Sequence, residues 1–361
     1  MNLRAIGVER NTSKMPENRV GKRCAMQLDY HYHVIYHLAE LAGLKASEAG
    51  TIAYASQYVD DSTESEPVEP FPDQQFDTVR TAHYNLGAFD WNIQKKIYMP
   101  FHFLPPRIRW NNPKAFSYVT RPASPKMNDL SAKLVEKALA EPIARFRLVR
   151  MGVALHTVAD TFAHFGFSGR RHRENTVGKI WVQNDQGGWD YKYFHTIGDV
   201  FLPRIGHVEA YSYPDLPYET WRYTNVHRRK KTRKNLEHSL DGVRLIYRFL
   251  RMINDGNGKT ADLETDYPTE YRKIAFLLEK PGSIGERSSR WAKHAGAPSY
   301  SRLTWRNEAL QGNVQWDDMS EGRRKYQMEA IKGKNGFDAS NWAYFHRAAH
   351  LQRSQVLAWL N

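Results

Sequence analysis

The sequence contains a single cysteine, Cys24, which excludes an intramolecular disulfide and a zinc site built from cysteines. It has no apolar run of about 18 residues, the length needed to cross a membrane as a helix. Residues 1–25 are polar and basic and lack the hydrophobic segment of a secretory signal. We therefore expect synthesis in the cytoplasm, and any export would use a route that does not read such a signal.

The sequence also lacks internal repeats, a glycine-rich phosphate loop, a G-x-S-x-G motif and an H-E-x-x-H motif. What it has is a globular composition: 361 residues, 41% hydrophobic and 13% aromatic, with a formal charge of +13. Such a surface favours anionic partners, namely phospholipid headgroups, nucleic acid or a phosphorylated substrate. Its 15 histidines and many carboxylates make a His/Asp metal site the best option for a cofactor.

The segment Met151–Phe167, MGVALHTVADTFAHFGF, carries His156, Asp160 and His164 at four-residue spacing. On a helix these side chains form one stripe with a rise of roughly 6 Å per step. The two histidines, about 12 Å apart along the axis, are too distant to share one ion. We therefore predict two metal ions bridged by Asp160, with one imidazole on each. The alternative is a pair of hydrogen-bonded core histidines beside a structural aspartate.

Near the start of the chain, Asp29, His31 and His33 alternate. An extended entry would place them on one face, and a helix is predicted from about Tyr32 to Gly43. We expect at least one of these groups to bind metal rather than merely to pack.

A second helix, from about Ser47, ends on Asp60 and Asp61. Two carboxylates at the negative end of a helix dipole need a compensating positive charge, which a divalent cation would supply. The alternative is a solvated helix end. His83 follows some two dozen residues later and is expected in the same cavity, whereas His102, within an aromatic run, is predicted to be core.

Residues 179–195 alternate around a Gly-Gly turn and predict a β-hairpin. The irregular stretch that follows favours His207, with Glu209 or Asp215, as ligands. The run from Arg228 to Lys234 has six basic residues in seven and is predicted to open a long helix, Lys231 to Ile253. It is either a solvated turn or an anion or membrane contact. His346 and His350 have no acidic companion and are expected in the core or on the surface.

The set of these residues resembles the zinc-dependent phospholipase C and fungal single-strand nuclease superfamily over about residues 26–220. That resemblance implies a mainly α, multi-helix bundle with a site of two or three zinc ions, although another divalent metal is an option. Asp60 or Asp61 would correspond to the early aspartate and His83 to the second histidine. His156 and Asp160 would match the central motif, and His164 and His207 the last histidines.

The chain departs from that superfamily at two points. The histidine after the central aspartate follows four residues later without a proline, instead of six residues later past a proline. The family also uses a free N-terminal amine as a ligand, whereas 28 residues precede Asp29 here. Asp29 or His31 would have to substitute, so two ions are expected more strongly than three.

The resulting expectation is a basic tail at 1–25, a metal-binding helical catalytic domain at 26–255 with one small β-hairpin, and a helical C-terminal extension at 256–361 packed on the same body. The expected activity is hydrolysis of phosphodiesters, of phospholipase C type, with Asp61 or Asp60 accepting or positioning the proton of the attacking water. Arg228, Arg229, Lys230 and Lys231 are expected to contact a membrane. A single-strand nuclease is the alternative enzyme, and a non-catalytic metal-binding effector is the alternative from another class.

Overall fold

The computed structural model describes residues 28–82, 90–109, 114, 116–124, 126–192, 205–256, 258–312 and 331–361, without the side chains of residues 207 and 208. Helices dominate these residues, and the prediction of a mainly α protein is confirmed. No helix among them is both long enough and apolar enough to cross a membrane.

The helices are α1 (Ile35–Leu41), α2 (Ala46–Asp61), α3 (Trp91–Ile93), α4 (Met99–Phe101), α5 (Asp129–Leu139), α6 (Ala144–Ala163), α7 (His207–Ala210), α8 (Asn235–Asn254), α9 (Leu263–Asp266), α10 (Pro268–Glu279), α11 (Ile284–Ala295), α12 (Thr304–Ala309) and α13 (Asn341–Leu360). The strands are β1 (Val68–Phe71), β2 (Gln74–Phe76), β3 (Ile180–Gln183), β4 (Trp189–Lys192), β5 (Thr220–Thr224) and β6 (Lys230–Lys234).

Helix α6 is the centre of the body. It packs against α2, α5, α8 and α13, and from Met151 to Ala163 every residue is buried. A helix that is apolar on all sides is stable only when other helices cover all of its faces. The neighbours of α6 thereby enclose His156 and Asp160, and His164, directly after its end, is buried as well.

Gly152 is the point at which α2 crosses α6 most closely. A Cβ atom added there would lie 2.3 Å from the carbonyl oxygen of Ile52 and 2.5 Å from the Cβ of Ala55. The missing side chain therefore lets the two backbones approach, and this approach brings the end of α2 beside the middle of α6.

The β structure is larger than the single hairpin predicted. β3 and β4 do form the expected antiparallel hairpin, with Gln183 opposite Trp189. However, β3 also pairs with β5, and β5 with β6, in a four-stranded antiparallel sheet of order β4-β3-β5-β6. A separate two-stranded sheet joins β1 and β2.

The basic run does not open the long helix as predicted. Lys230–Lys234 forms strand β6, and α8 begins only at Asn235. The reason lies in tertiary structure, because the buried Arg233 donates from its guanidinium to the carbonyl oxygens of Phe162, Ala163 and Phe165. A cation at this position satisfies the free carbonyls at the end of α6 and the negative end of its dipole.

The alternation of Asp29, His31 and His33 predicted an extended entry to the first helix, and this prediction is wrong. Asp29–Val34 forms a π-helical segment, which α1 continues, and all six residues are buried. π-Helical turns are rare and occur often at functional sites. Period-two alternation could not distinguish this wide turn from a strand.

We predict that Gly152→Ala lowers the free energy of unfolding by about 1–3 kcal/mol, since the added methyl group forces α2 away from α6. Gly285→Ala in α11 is the matched control, because no atom lies within 4 Å of its added Cβ. That change should be neutral or stabilise the protein by at most about 1 kcal/mol. Denaturant unfolding of both variants measures the difference, and equal effects would show that the helix crossing is not tight.

Candidate metal site

Five ionisable side chains converge at the crossing of α2 and α6. His31 comes from the π-helical segment, Asp60 from the last turn of α2, His102 from the residue after α4, and His156 and Asp160 from α6. Each of the five is less than 5% exposed. Burial of so many ionisable groups is unfavourable unless they compensate one another or hold an ion.

Asp160 lies at the centre of this cluster. Its Oδ1 is 3.2 Å from Nε2 of His31, and its Oδ2 is 3.0 Å from Nδ1 of His102 and 3.3 Å from Nε2 of His156. The facing nitrogens of His102 and His156 are 3.3 Å apart. The two carboxylate oxygens thus face different imidazoles.

Asp60 completes the cluster from the opposite side. Its Oδ1 is 3.7 Å from Nε2 of His156 and 3.9 Å from Nδ1 of His102, and its Oδ2 is 4.0 Å from Nε2 of His31. Asp60, in the last turn of α2, therefore faces α6.

Backbone carbonyls fix the outer nitrogens of two of these imidazoles. Nδ1 of His156 lies 2.9 Å from the carbonyl oxygen of Ser56, and Nε2 of His102 lies 2.8 Å from that of Thr81. A carbonyl can only accept, so we assign a hydrogen to each of these outer nitrogens. In the uncharged form of a ring, its inner nitrogen then presents a lone pair toward Asp160. Metal-binding histidines usually have such an outer hydrogen bond.

The electrostatics keep this cluster poor in protons. Burial, with a smaller contribution from His31, lowers the pKa of His156 to about 3, so its ring is neutral near pH 7. Burial opposes ionisation of Asp160, but the surrounding histidines, His164 first and then His156, bring the pKa of its carboxyl well below the usual value. A neutral imidazole therefore faces a carboxylate, and both offer lone pairs.

The spacing of these atoms suits a metal ion. Ligands about 2.0–2.1 Å from a tetrahedral zinc lie about 3.3 Å from one another, and the separations here run from 3.0 to 4.0 Å. Neither nitrogen of His31 makes a hydrogen bond to any residue that the structure describes. Two overlapping groups, His31 with His156 and Asp160, and Asp60 with His102 and His156, could each hold a metal ion.

His164 is arranged differently from the prediction. Its Nδ1 lies 2.9 Å from the carbonyl oxygen of His102 and 3.6 Å from Oδ2 of Asp160. Its Nε2 points instead to Oδ1 of Asp215, 3.4 Å away. The predicted bridge, with Asp160 between an ion on His156 and an ion on His164, does not match this geometry, because His164 turns a nitrogen bonded to hydrogen toward Asp160.

Four more predicted ligands lie apart from the cluster. Asp29 forms a buried ion pair with Arg287 at 3.1 Å, which neutralises its charge without a metal. Asp61 accepts hydrogen bonds from Tyr300 and Gln57. His33 packs edge to face on Tyr32, and burial lowers its pKa to about 4. Glu209, the alternative partner for His207, accepts a hydrogen bond from the backbone of Val177.

Two further predictions fall outside the described part of the chain. These are His83, which lies in the gap at residues 83–89, and the side chain of His207.

His102 is the member of the cluster that the sequence interpretation placed wrongly. It is buried as a core residue would be, yet its ring lies between Asp60 and Asp160. His83 and His102 both follow Asp60 and precede His156, so order along the chain cannot choose between them. A histidine in an otherwise apolar run was the available signal, because a buried imidazole needs partners.

Comparison with known proteins places the chain in a family but assigns no activity. No curated protein and no solved structure matches it. Residues 26–360 match DUF6765, a family of unknown function. The match includes the cluster and the C-terminal helices, and the chain therefore belongs to the DUF6765 family.

Proposed function

We propose that this protein is a metal-dependent phosphodiester hydrolase whose buried cluster holds two divalent ions, with zinc as the leading candidate. One observation carries the proposal: the two oxygens of Asp160 face separate imidazoles, Oδ1 toward His31 and Oδ2 toward His102 and His156. A carboxylate placed in this way can bridge two ions, as two-metal hydrolases require.

The ligand sets follow from the same distances. Asp60, His102 and His156 would hold one ion together with Oδ2 of Asp160. His31 would hold the other with Oδ1 of Asp160. In this division His156 would bind only one ion, because its other nitrogen, Nδ1, is hydrogen-bonded to the carbonyl oxygen of Ser56. The arrangement supports the resemblance to the phospholipase C superfamily, with His102 in the role proposed for His83 and His31 in that of the N-terminal amine.

Bound divalent ions would supply polarisation of the phosphoryl oxygens and a lower pKa, near about 7, for a bound water. The protein's own residues orient and balance the site: Ser56 and Thr81 hold two imidazoles in place, and Asp60 and Asp160 supply two negative charges. Of the two carboxylates expected to be catalytic, only Asp60 lies at the cluster. Asp61 accepts hydrogen bonds from Tyr300 and Gln57 instead, away from the cluster, so the proton-accepting role expected of it does not fit its position.

The outer face of the four-stranded sheet supports a phospholipid substrate. The guanidinium carbon of Arg222 lies 4.1 Å from the ring centroid of Trp189 and 5.3 Å from that of Trp181, and Lys230 lies over Trp181. The turn between β5 and β6 adds the exposed Arg228 and Arg229. Aromatic rings combined with lysine and arginine are typical of proteins that bind the membrane interface.

The single-strand nuclease remains the alternative enzyme. Nucleic acid binding of this kind uses free aromatic faces on which bases stack. Cations already lie over the rings of Trp181 and Trp189, so this face suits a lipid headgroup better than a base.

We predict that Asp160→Asn removes both ions, because it removes the shared negative charge and leaves only one side-chain oxygen. His31→Ala and His102→Ala should each remove chiefly one ion. Elemental analysis of the folded variants measures this, and Asp160→Asn is expected to contain about two equivalents less metal than wild type. A folded Asp160→Asn protein that retains its metal would contradict the two-ion site.

We predict hydrolysis of a generic phosphodiester by the metal-loaded protein, lost on chelation, restored by zinc and lost in Asp160→Asn. Parallel assays with phospholipid vesicles and with single-stranded nucleic acid identify the substrate class, and we expect the lipid to be cleaved. Metal-loaded protein that hydrolyses none of the three would support the non-catalytic interpretation.

We predict that Arg228→Gly separates membrane binding from stability. Arg228 has a φ of 56°, which glycine adopts more easily. The variant should therefore gain up to about 1 kcal/mol of stability while binding anionic vesicles more weakly, since each exposed cation contributes roughly 1 kcal/mol. Neutralising Arg229, Lys230 and Lys231 as well should weaken binding further without affecting a soluble substrate. Unchanged vesicle binding at low salt would show that this turn is a solvated turn and not a membrane contact.

A further inference from the structure

We propose a second metal site, separate from the buried cluster, at which His37, Glu270 and His294 bind a first-row divalent transition ion. The three residues come from α1, α10 and α11, respectively. They share no residue with the cluster around Asp160. The proposal does not depend on the proposed hydrolase activity.

The geometry converges on one oxygen. Nε2 of His37 and Nε2 of His294 each lie 3.3 Å from Oε2 of Glu270. The two imidazole rings meet edge to face, with centroids 4.7 Å apart. The two nitrogen-to-oxygen distances match the spacing of about 3.3 Å expected between ligands of a tetrahedral zinc.

The hydrogen bonds favour a metal over a simple ion pair. Neither Nε2 atom makes a hydrogen bond to any residue that the structure describes, although both atoms are shielded from solvent. Glu270 uses its other oxygen, Oε1, to accept from Lys273 at 2.8 Å. Its Oε2 therefore faces two imidazoles without the alignment that hydrogen bonds require.

The donor set indicates the class of metal. Two imidazoles and one carboxylate bind zinc, iron, cobalt and nickel more readily than calcium or magnesium, which prefer oxygen ligands. The side chains are 11% exposed for His37, 23% for Glu270 and 19% for His294, so water can reach the ion and complete its coordination.

The position of the site gives it a structural role. Helices α10 and α11 follow the long helix α8, whereas α1 belongs to the N-terminal part of the described chain. An ion held here links the C-terminal helices to α1, and it binds only the folded state. Metal binding should therefore stabilise the protein, and above the dissociation constant this stabilisation should rise with the logarithm of the metal concentration.

Lys273 provides a sharp test, because its ammonium lies beside the carboxylate that would bind the ion. Lys273→Met removes a competing positive charge and should strengthen metal binding. If His37, Glu270, His294 and Lys273 form only an ion-pair network, the loss of Lys273 would weaken that network instead.

The experiment compares wild type, Glu270→Gln and His294→Ala with the control His350→Ala, which removes an exposed histidine from α13. Zinc content after dialysis should be lower than in wild type by about one equivalent in Glu270→Gln and in His294→Ala, and unchanged in His350→Ala. The increase in melting temperature produced by added zinc should shrink in the same two variants and grow in Lys273→Met. Because each variant is compared with wild type, the difference is measured whether or not the Asp160 cluster holds its own ions.

Equal zinc content and an equal zinc-dependent melting shift in wild type and both ligand variants would overturn the proposal. The proposal would also be overturned if the melting temperatures of the two ligand variants fell below wild type by the same amount in chelator as in zinc. That result would identify an ion-pair network that binds no metal. Failure of phosphodiester hydrolysis would bear only on the buried cluster.

Discussion

The burial of the Asp160 carboxylate among several imidazoles is the constraint on which this structure depends. Carbonyl oxygens of Ser56 and Thr81 bind the outer nitrogens of His156 and His102, so the inner nitrogens face Oδ2 of Asp160 as acceptors. Buried acceptors that face one another without a hydrogen or a cation between them cost about 1–3 kcal/mol each. The metal ions that we propose would remove this cost.

The surrounding fold maintains this arrangement. Gly152 lets α2 approach α6, which brings both the Ser56 carbonyl and the Asp60 carboxylate to the cluster. At the end of α6, the guanidinium of Arg233 holds three carbonyls around His164. Because Arg233 belongs to β6, the strand that carries the exposed Lys230 also anchors the helix that contributes His156 and Asp160 to the cluster.

The sequence predicted the parts of this structure that depend on local spacing. The helix at 144–163, the helix ending at Asp60 and the hairpin at 180–192 follow from apolar periodicity, acidic residues at a helix end and a Gly-Gly turn. The His156–Asp160 pair was visible because four-residue spacing places both on one side of a helix.

The missed features depend on contacts that are distant in sequence. His102 enters the cluster only because the chain after α4 packs on α6, 58 residues from Asp160. The charge of Asp29 is neutralised by Arg287, far along the chain, so its proximity to His31 was misleading. Strand β6 replaced a predicted helix because Arg233 caps α6 and its neighbours pair with β5.

Anomalous X-ray scattering at a metal absorption edge, from crystals of protein purified without chelator, tests the central claim most directly. The account predicts one peak about 2.0–2.2 Å from Nε2 of His156, Nδ1 of His102 and Oδ2 of Asp160, and a second beside Nε2 of His31 and Oδ1 of Asp160. The two-ion account would be contradicted if neither position showed an anomalous signal in crystals of protein that had first been exposed to excess zinc.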